Sequence, residues 1–185
     1  IYWNWQTAHL VVDNRFFALV QNSFLLASIS AVVVVVAAIL IGFTIRTFPS
    51  KFTRFLARMA TLGYAIPGAV VAIGILVPFI WLDLQISTLT AGAVRMLITG
   101  TWFTLVFAYM VRFMAVGFNN VESAMEKTSH SLDEASRSLG MTNMQTLRKI
   151  VLPLIRPGIL SAGLLVFIDV LKELPLTLIL RPFNF

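Results

Sequence analysis

No residue from Phe16 to Ile45 is charged, and that run leaves the chain few ways to fold. About 20 apolar residues cross the hydrocarbon core of a bilayer. Lipid offers no partners to a bare backbone, so a run of this length must close its hydrogen bonds internally, as a helix. The first span is expected over about Val20 to Thr44, with Val32–Val36 facing lipid or packed against neighbours. A second uncharged run covers Met59 to Leu82 and contains Pro67, Gly68 and Pro78. Both prolines are expected to kink it, while Gly68 and Gly74 permit close helix approach. A third run extends from Met96 to about Val116, with Arg112 near its end as an inner-interface anchor that snorkels. The fourth begins after Pro157 and ends around Leu171. With 58% hydrophobic and 12% charged residues, and a mean hydropathy of +0.88, the expected fold is an all-α, polytopic transmembrane helix bundle, a multi-pass protein in the lipid bilayer.

Lys and Arg mark the cytoplasmic side of such a bundle. Arg46, Lys51, Arg54 and Arg58 follow the first span; Arg112, Lys127, Arg137, Arg148, Lys149 and Arg156 follow the third. Only Arg15 and Arg95 fall clearly on the other side. Both basic loops are therefore expected in the cytoplasm. The net charge of +6 follows this topology and does not indicate nucleic acid. Absence of Cys excludes disulfides and thiolate metal sites. The chain shows no signal peptide, begins at Ile1 without Met and ends just after an apolar stretch, so it is expected to be part of a longer polypeptide.

The polar loop between the third and fourth spans is built like two short capped helices. Ser131-Leu-Asp-Glu134 fits a capping box, Gly140 a left-handed C-cap, and Thr142-Asn-Met-Gln145 a second capping box. Pro153 is expected to stop the second helix. Leu132, Ala135, Ser136 and Leu139 fall on one helical stripe, and Met144, Leu147 and Val151 on another. One stripe can pack on the bundle while the other meets a partner.

The spacing of Glu134, Ala135, Gly140, Ile150, Leu152 and Pro153 resembles the EAA loop of binding-protein-dependent ABC importers, with Ser136 in place of the second Ala. Tyr64–Gly74, Tyr109–Phe113 and Glu173–Pro182 look like the ferric-iron permeases of that group, and the ending resembles their second half. The resemblance implies the permease fold of type I ABC importers, with residues 1–185 a single but incomplete permease domain. It implies that 119–156 is the cytoplasmic coupling loop, with Glu134, Ala135, Ser136, Leu139, Gly140, Ile150, Leu152 and Pro153 coupling it to a cytoplasmic ATPase dimer. Further implied partners are an external, periplasmic substrate-binding protein and another permease half, in a bacterial cytoplasmic membrane. ATP hydrolysis belongs to the partner. Related permeases for thiamine, polyamines and oxyanions share this architecture.

Asp169, Lys172 and Glu173 interrupt an apolar run. They read either as a gate on the pathway or as an outer-interface pair of Asp169 with Lys172. Pro175 is expected to break the helix, leaving Leu176–Leu180 too short to span. His9 and His130 stand alone, so no metal site is expected, and no Walker loop or nucleophile constellation suggests a catalytic residue or cofactor. A secondary transporter would want ionisable sites at the midplane in paired repeats, and no internal repeat is visible. A non-transporting membrane scaffold is the other rival.

Overall fold

A computed structural model describes residues 14–90, 98–129 and 131–182. Among them the regular elements are helical. Helix α1 (Asn14–Thr47) is the longest, about 51 Å at 1.5 Å per residue. It is followed by α2 (Lys51–Thr61), a 3-10 turn at Leu62–Ala65, α3 (Gly68–Leu89) and α4 (Trp102–Glu126). Next come α5 (Ser131–Ser138) and α6 (Asn143–Leu154), then α7 (Arg156–Lys172) and α8 (Pro175–Leu180). Helices α1, α3 and α4 are each long and apolar enough to cross a membrane. Helix α7 joins them as a fourth span only as the second arm of a bent pair with α6.

Small residues bring the long helices together, as van der Waals packing in lipid requires. Ala27, Ser30, Ala31 and Ala38 are buried along α1. A side chain at Gly117 of α4 would collide with Val34, and one at Gly158 of α7 with Ala124. Of the valine run, Val34 and Val35 are buried while Val32 and Val36 face outward, so one stripe packs and its neighbour forms outer surface. One half of the core joins α1, α3, α4, α7 and α8 through Leu26, Ile75, Leu105, Tyr109, Val166 and Leu176. The other joins α1, α2 and α4 to α6 and α7 through Val35, Ala57, Val121, Leu147, Val151 and Ala162.

Two spans differ from the hydropathy reading. Met59–Leu82 is not one kinked helix. It breaks at residues 62–67, and Pro67 is the N-cap of α3, leaving Pro78 as the proline inside the span. Ile66 is extended, at φ −91° and ψ 136°, as the residue before a proline prefers, so the helix ends ahead of Pro67. Gly63, in the 3-10 turn, lies so close to the Val111 carbonyl of α4 that no side chain fits. Gly68 is likewise closely approached, whereas Gly74 faces open space. The helix of the third span starts at Trp102, after a turn at residues 98–101 held by Asp83, and it runs on to Glu126. That carboxylate, buried on α3, accepts the amides of Ile98 (3.0 Å) and Thr99 (2.9 Å). Arg112 therefore lies midway along α4, about 15 Å from Trp102 and about 21 Å from Glu126. Arg95, His9 and His130 lie outside the described residues.

Candidate functional site

Between α4 and α7 the chain forms a helix–Gly–helix segment at the end of the bundle where Arg46, Arg54 and Arg58 also lie. Helix α5 ends in a Schellman motif: the Gly140 amide donates to the Arg137 carbonyl (2.9 Å), and the Met141 amide to that of Ser136 (3.0 Å). Gly140 takes φ +76°, the left-handed region glycine adopts without penalty. Helix α6 then opens with the expected capping box, Thr142 accepting from the Gln145 amide and the Gln145 side chain from the Thr142 amide. The first capping box does not form at Ser131–Glu134, because Ser131 is already helical. The hydroxyl of Ser129 accepts the Ser131 amide instead (3.2 Å).

Pro153 does not stop the second helix. A π turn at Leu147–Val151 widens α6 just before it, relieving the clash a proline makes with the carbonyl four residues back. The arm runs on to Leu154, and the chain then turns by 76° at Ile155 into α7.

The two arms are clasped to each other. Ser136 is buried and its hydroxyl meets that of Thr146 at 2.8 Å; Ser136 also donates to the Asp133 carbonyl. The stripe containing Ser136 is thus divided: Ser136 faces inward, while Leu132, Ala135 and Leu139 are exposed with Glu134 and Gly140. The second stripe divides similarly, Leu147 and Val151 entering the core and Met144 remaining outside. Ile150 and Leu152 are half-buried and Pro153 is exposed. Among the large apolar side chains of the segment Leu139 is the most open, at 82%. The segment therefore offers an outward surface around Glu134, Leu139 and Met144, and roots itself in the bundle through α6.

A second root comes from a residue whose loop position revealed only topology. Arg46, in the last turn of α1, sends Nε to Asp133 Oδ2 at 2.6 Å. Its Nη1 donates to the Met125 carbonyl (2.7 Å) and to Thr128, and Nη2 to the Ser129 carbonyl (3.0 Å). The Arg46 side chain is only 6% exposed. It sits where the C-terminal ends of α1 and α4 both present partial negative charge, and its carboxylate partner occupies the first turn of α5, where an anion is favoured.

Midway along the bundle the structure assembles a different charged group from the one expected. Glu173 pairs with Arg112 of α4, Oε2 to Nε 3.0 Å, and no Asp169–Lys172 salt bridge forms within the described residues. Arg112 also donates to the Ile66 carbonyl at the break before α3, and lies over the Phe113 ring at 5.7 Å. It is a part-buried pairing residue, not a snorkelling anchor, which leaves nine basic residues in the two loops. The other oxygen of Glu173 lies against Gly68 at the N-terminus of α3. Helix α8 re-enters the core here, with Leu176 and Leu180 buried and the Thr177 hydroxyl 2.6 Å from that of Tyr109. Asp169 is half-buried and Lys172 exposed. Among the described residues no group of three His, Asp or Glu side chains could hold a metal ion.

Residues 34–181 match the model of a family described as binding-protein-dependent transport system inner membrane component. The chain is 26% identical over 167 residues to an Fe(3+)-transport system permease protein, FbpB 2, of Haemophilus influenzae, covering 90% of this chain and 31% of the relative. It is also 26% identical over 141 residues to the ferric transport system permease protein FbpB of Actinobacillus pleuropneumoniae, covering 76% and 19%. A putative 2-aminoethylphosphonate transport system permease protein, PhnV, of Salmonella typhimurium is 29% identical over 138 residues, covering 75% and 48%. The chain thus spans about a third or less of the ferric permeases and about half of the phosphonate one.

Proposed function

The chain belongs to the family of binding-protein-dependent transport system inner membrane components, and we propose that it forms part of the membrane pathway of an ATP-driven importer of ferric iron. In this reading residues 119–156 lie in the cytoplasm of a bacterium and dock on an ABC ATPase dimer, while an external binding protein delivers the substrate to the opposite face. A second permease half completes the pathway. Hydrolysis belongs to the ATPase, and this chain supplies passage and lever.

One observation carries the coupling role: a short, doubly capped helix–Gly–helix segment that presents Glu134, Leu139 and Met144 outward at the basic end of a membrane bundle. Such a segment has the shape of a plug for a groove on a soluble partner. Closing of the ATPase dimer would move it, and α7, joined to it through the bend at Ile155, would move with it.

The ferric relatives support iron as cargo. Iron(III) is a hard cation suited to oxygen ligands. Selection falls to the binding protein in this reading, because the bundle offers paired carboxylates instead of a ligand cage. A second reading, import of a phosphonate, draws support from the phosphonate permease relative, which matches at higher identity and over more of its own length.

The test uses the full-length transporter in liposomes with its ATPase and binding protein. Glu134→Lys and Gly140→Pro should each abolish ATP hydrolysis stimulated by the loaded binding protein while membrane insertion persists. Unchanged stimulation in both would remove the lever role. Uptake of radiolabelled iron(III) against 2-aminoethylphosphonate separates the two cargoes.

A further inference from the structure

The coupling segment continues from α4 and into α7, and α6 packs Leu147 and Val151 into the core. It is also held by Arg46, whose partners on the Met125–Asp133 stretch lie 79 to 87 residues further along the chain.

We infer that Arg46 is a positioning residue that makes α1 part of the lever, so that displacement of α5 is carried directly into the longest membrane helix. This deepens the coupling role proposed above and rests on it. The geometry is that of a clamp on the α4–α5 junction, not of a surface ion pair. One planar group contacts the Met125, Thr128 and Ser129 carbonyls, the Thr128 hydroxyl and Asp133, the start of α5 included. A rigid fork with fixed donor directions holds this arc in one orientation, which a flexible ammonium cannot do. Both charged side chains are nearly buried, at 6% and 13% exposure, so solvent screens the pair little.

The face of the clamp is internal. Asp133 turns toward Arg46 while its neighbours Leu132 and Glu134 are exposed. One turn of α5 therefore offers one surface to the outside and the other to α1. Behind Arg46, α1 packs on α4 through Gly42 against Met125, and through Val34 against Gly117. A push on α5 thus meets α1 first at a guanidinium and then along a closely packed seam.

The experiment replaces Arg46 by Ala and by Lys in the full-length transporter, assembled with its ATPase and binding protein in liposomes. Two readouts are taken: hydrolysis stimulated by the loaded binding protein at saturating ATPase, and hydrogen exchange of amides 132–139. Arg46→Ala should lower stimulation by at least ~10-fold, within the usual range of coupling between sites. It should also speed exchange in α5 and leave that of α4 unchanged. Lys should recover only part of both. Stimulation near the wild-type level in Arg46→Ala, with Glu134→Lys uncoupled, overturns the inference and leaves the coupling role standing. Stimulation retained by both variants overturns both. If Arg46→Ala fails to insert, Asp133→Asn decides: faster α5 exchange with reduced stimulation supports the clamp, and no change in either overturns it.

Discussion

Nε of Arg112 and Oε2 of Glu173 lie 3.0 Å apart across 61 residues of sequence, and the pair joins two places where a helix is interrupted or ends. Arg112 also holds the Ile66 carbonyl at the break between α2 and α3, and Glu173 is the residue at which α7 gives way to α8. Side-chain exposures of 17% and 10% place the pair inside the bundle, where removing one partner strands the other.

Arg112→Leu or Glu173→Leu alone should each destabilise the full-length permease by about 3–5 kcal/mol, the penalty for an unpaired buried charge. The double variant should recover a large part of that loss. Thermal unfolding in detergent, analysed as a double-mutant cycle, measures it. Single variants that unfold at the wild-type temperature would show that the pair carries no structural role.

Gly68 and Gly74 provide a matched comparison on one helix. A side chain at Gly68 would overlap Glu173 Oε1 and crowd the Arg112 guanidinium, whereas one at Gly74 meets nothing within 4 Å. Gly68→Ala should lower the melting temperature and weaken the Arg112–Glu173 pair. Gly74→Ala should hold or slightly raise stability, since Gly inside a helix is about 0.5–1 kcal/mol worse than Ala. Equal effects of the two substitutions would contradict this placement of Glu173.

At Gly140 the obstacle is conformational, not steric, because φ is +76° and the space around it is open. Left-handed backbone costs a side chain roughly 1–2 kcal/mol, least for Asn and most for β-branched residues. Binding-protein-stimulated hydrolysis should therefore fall in the order Gly, Asn, Ala, Val. A series ranked by side-chain volume alone, with Asn worse than Ala, would point to crowding instead.

Ser136→Ala restores the small apolar residue expected at that place in the motif, and forfeits the 2.8 Å bond to Thr146. Thr146 keeps a bond to the Thr142 carbonyl, so the loss should be mild, about 1 kcal/mol. Ser136→Leu should separate α5 from α6 and uncouple transport from hydrolysis. Coupled transport in the Leu variant would show that the clasp is dispensable.

Residues 1–185 contain no Cys, so in a cysteine-free background of the full-length protein a single engineered cysteine reports on topology. Cysteines at Ser129 or Asn143 should react with impermeant maleimide only from the cytoplasmic side. Reaction from outside in intact cells would invert the orientation drawn from the basic loops.

What was legible in the sequence was local or periodic. Thr142 with Gln145, and Gly140 after the α5 stripe, are contacts over three or four residues, and both appear as read. Helix α7 also runs almost where hydropathy put it. Hydropathy could not find the break at residues 62–67, because Leu62–Ile66 carries no charge and continues the uncharged run. The chain leaves the helix ahead of Pro67, and Gly63 there meets the Val111 carbonyl of α4, a tertiary contact that no local pattern announces. For the same reason Asp169–Lys172 looked like a pair. They are close in sequence, but folding brings Arg112 to Glu173 and Arg46 to Asp133 from 61 and 87 residues away. Pro153 announced a stop, and the π turn before it defers that stop to Ile155.

The clasp between Ser136 and Thr146 has a thermodynamic consequence. A segment that folded only on contact with its partner would lose backbone freedom at that moment, roughly 1–2 kcal/mol for each residue fixed. Here the two arms, the glycine turn between them and both helix ends are already closed by the segment's own hydrogen bonds. In the docking proposed above, association would draw little on conformational entropy, so that a small surface around Leu139 and Met144 would suffice to transmit force. It also makes recognition selective by shape, since a partner whose groove does not fit cannot induce a better one.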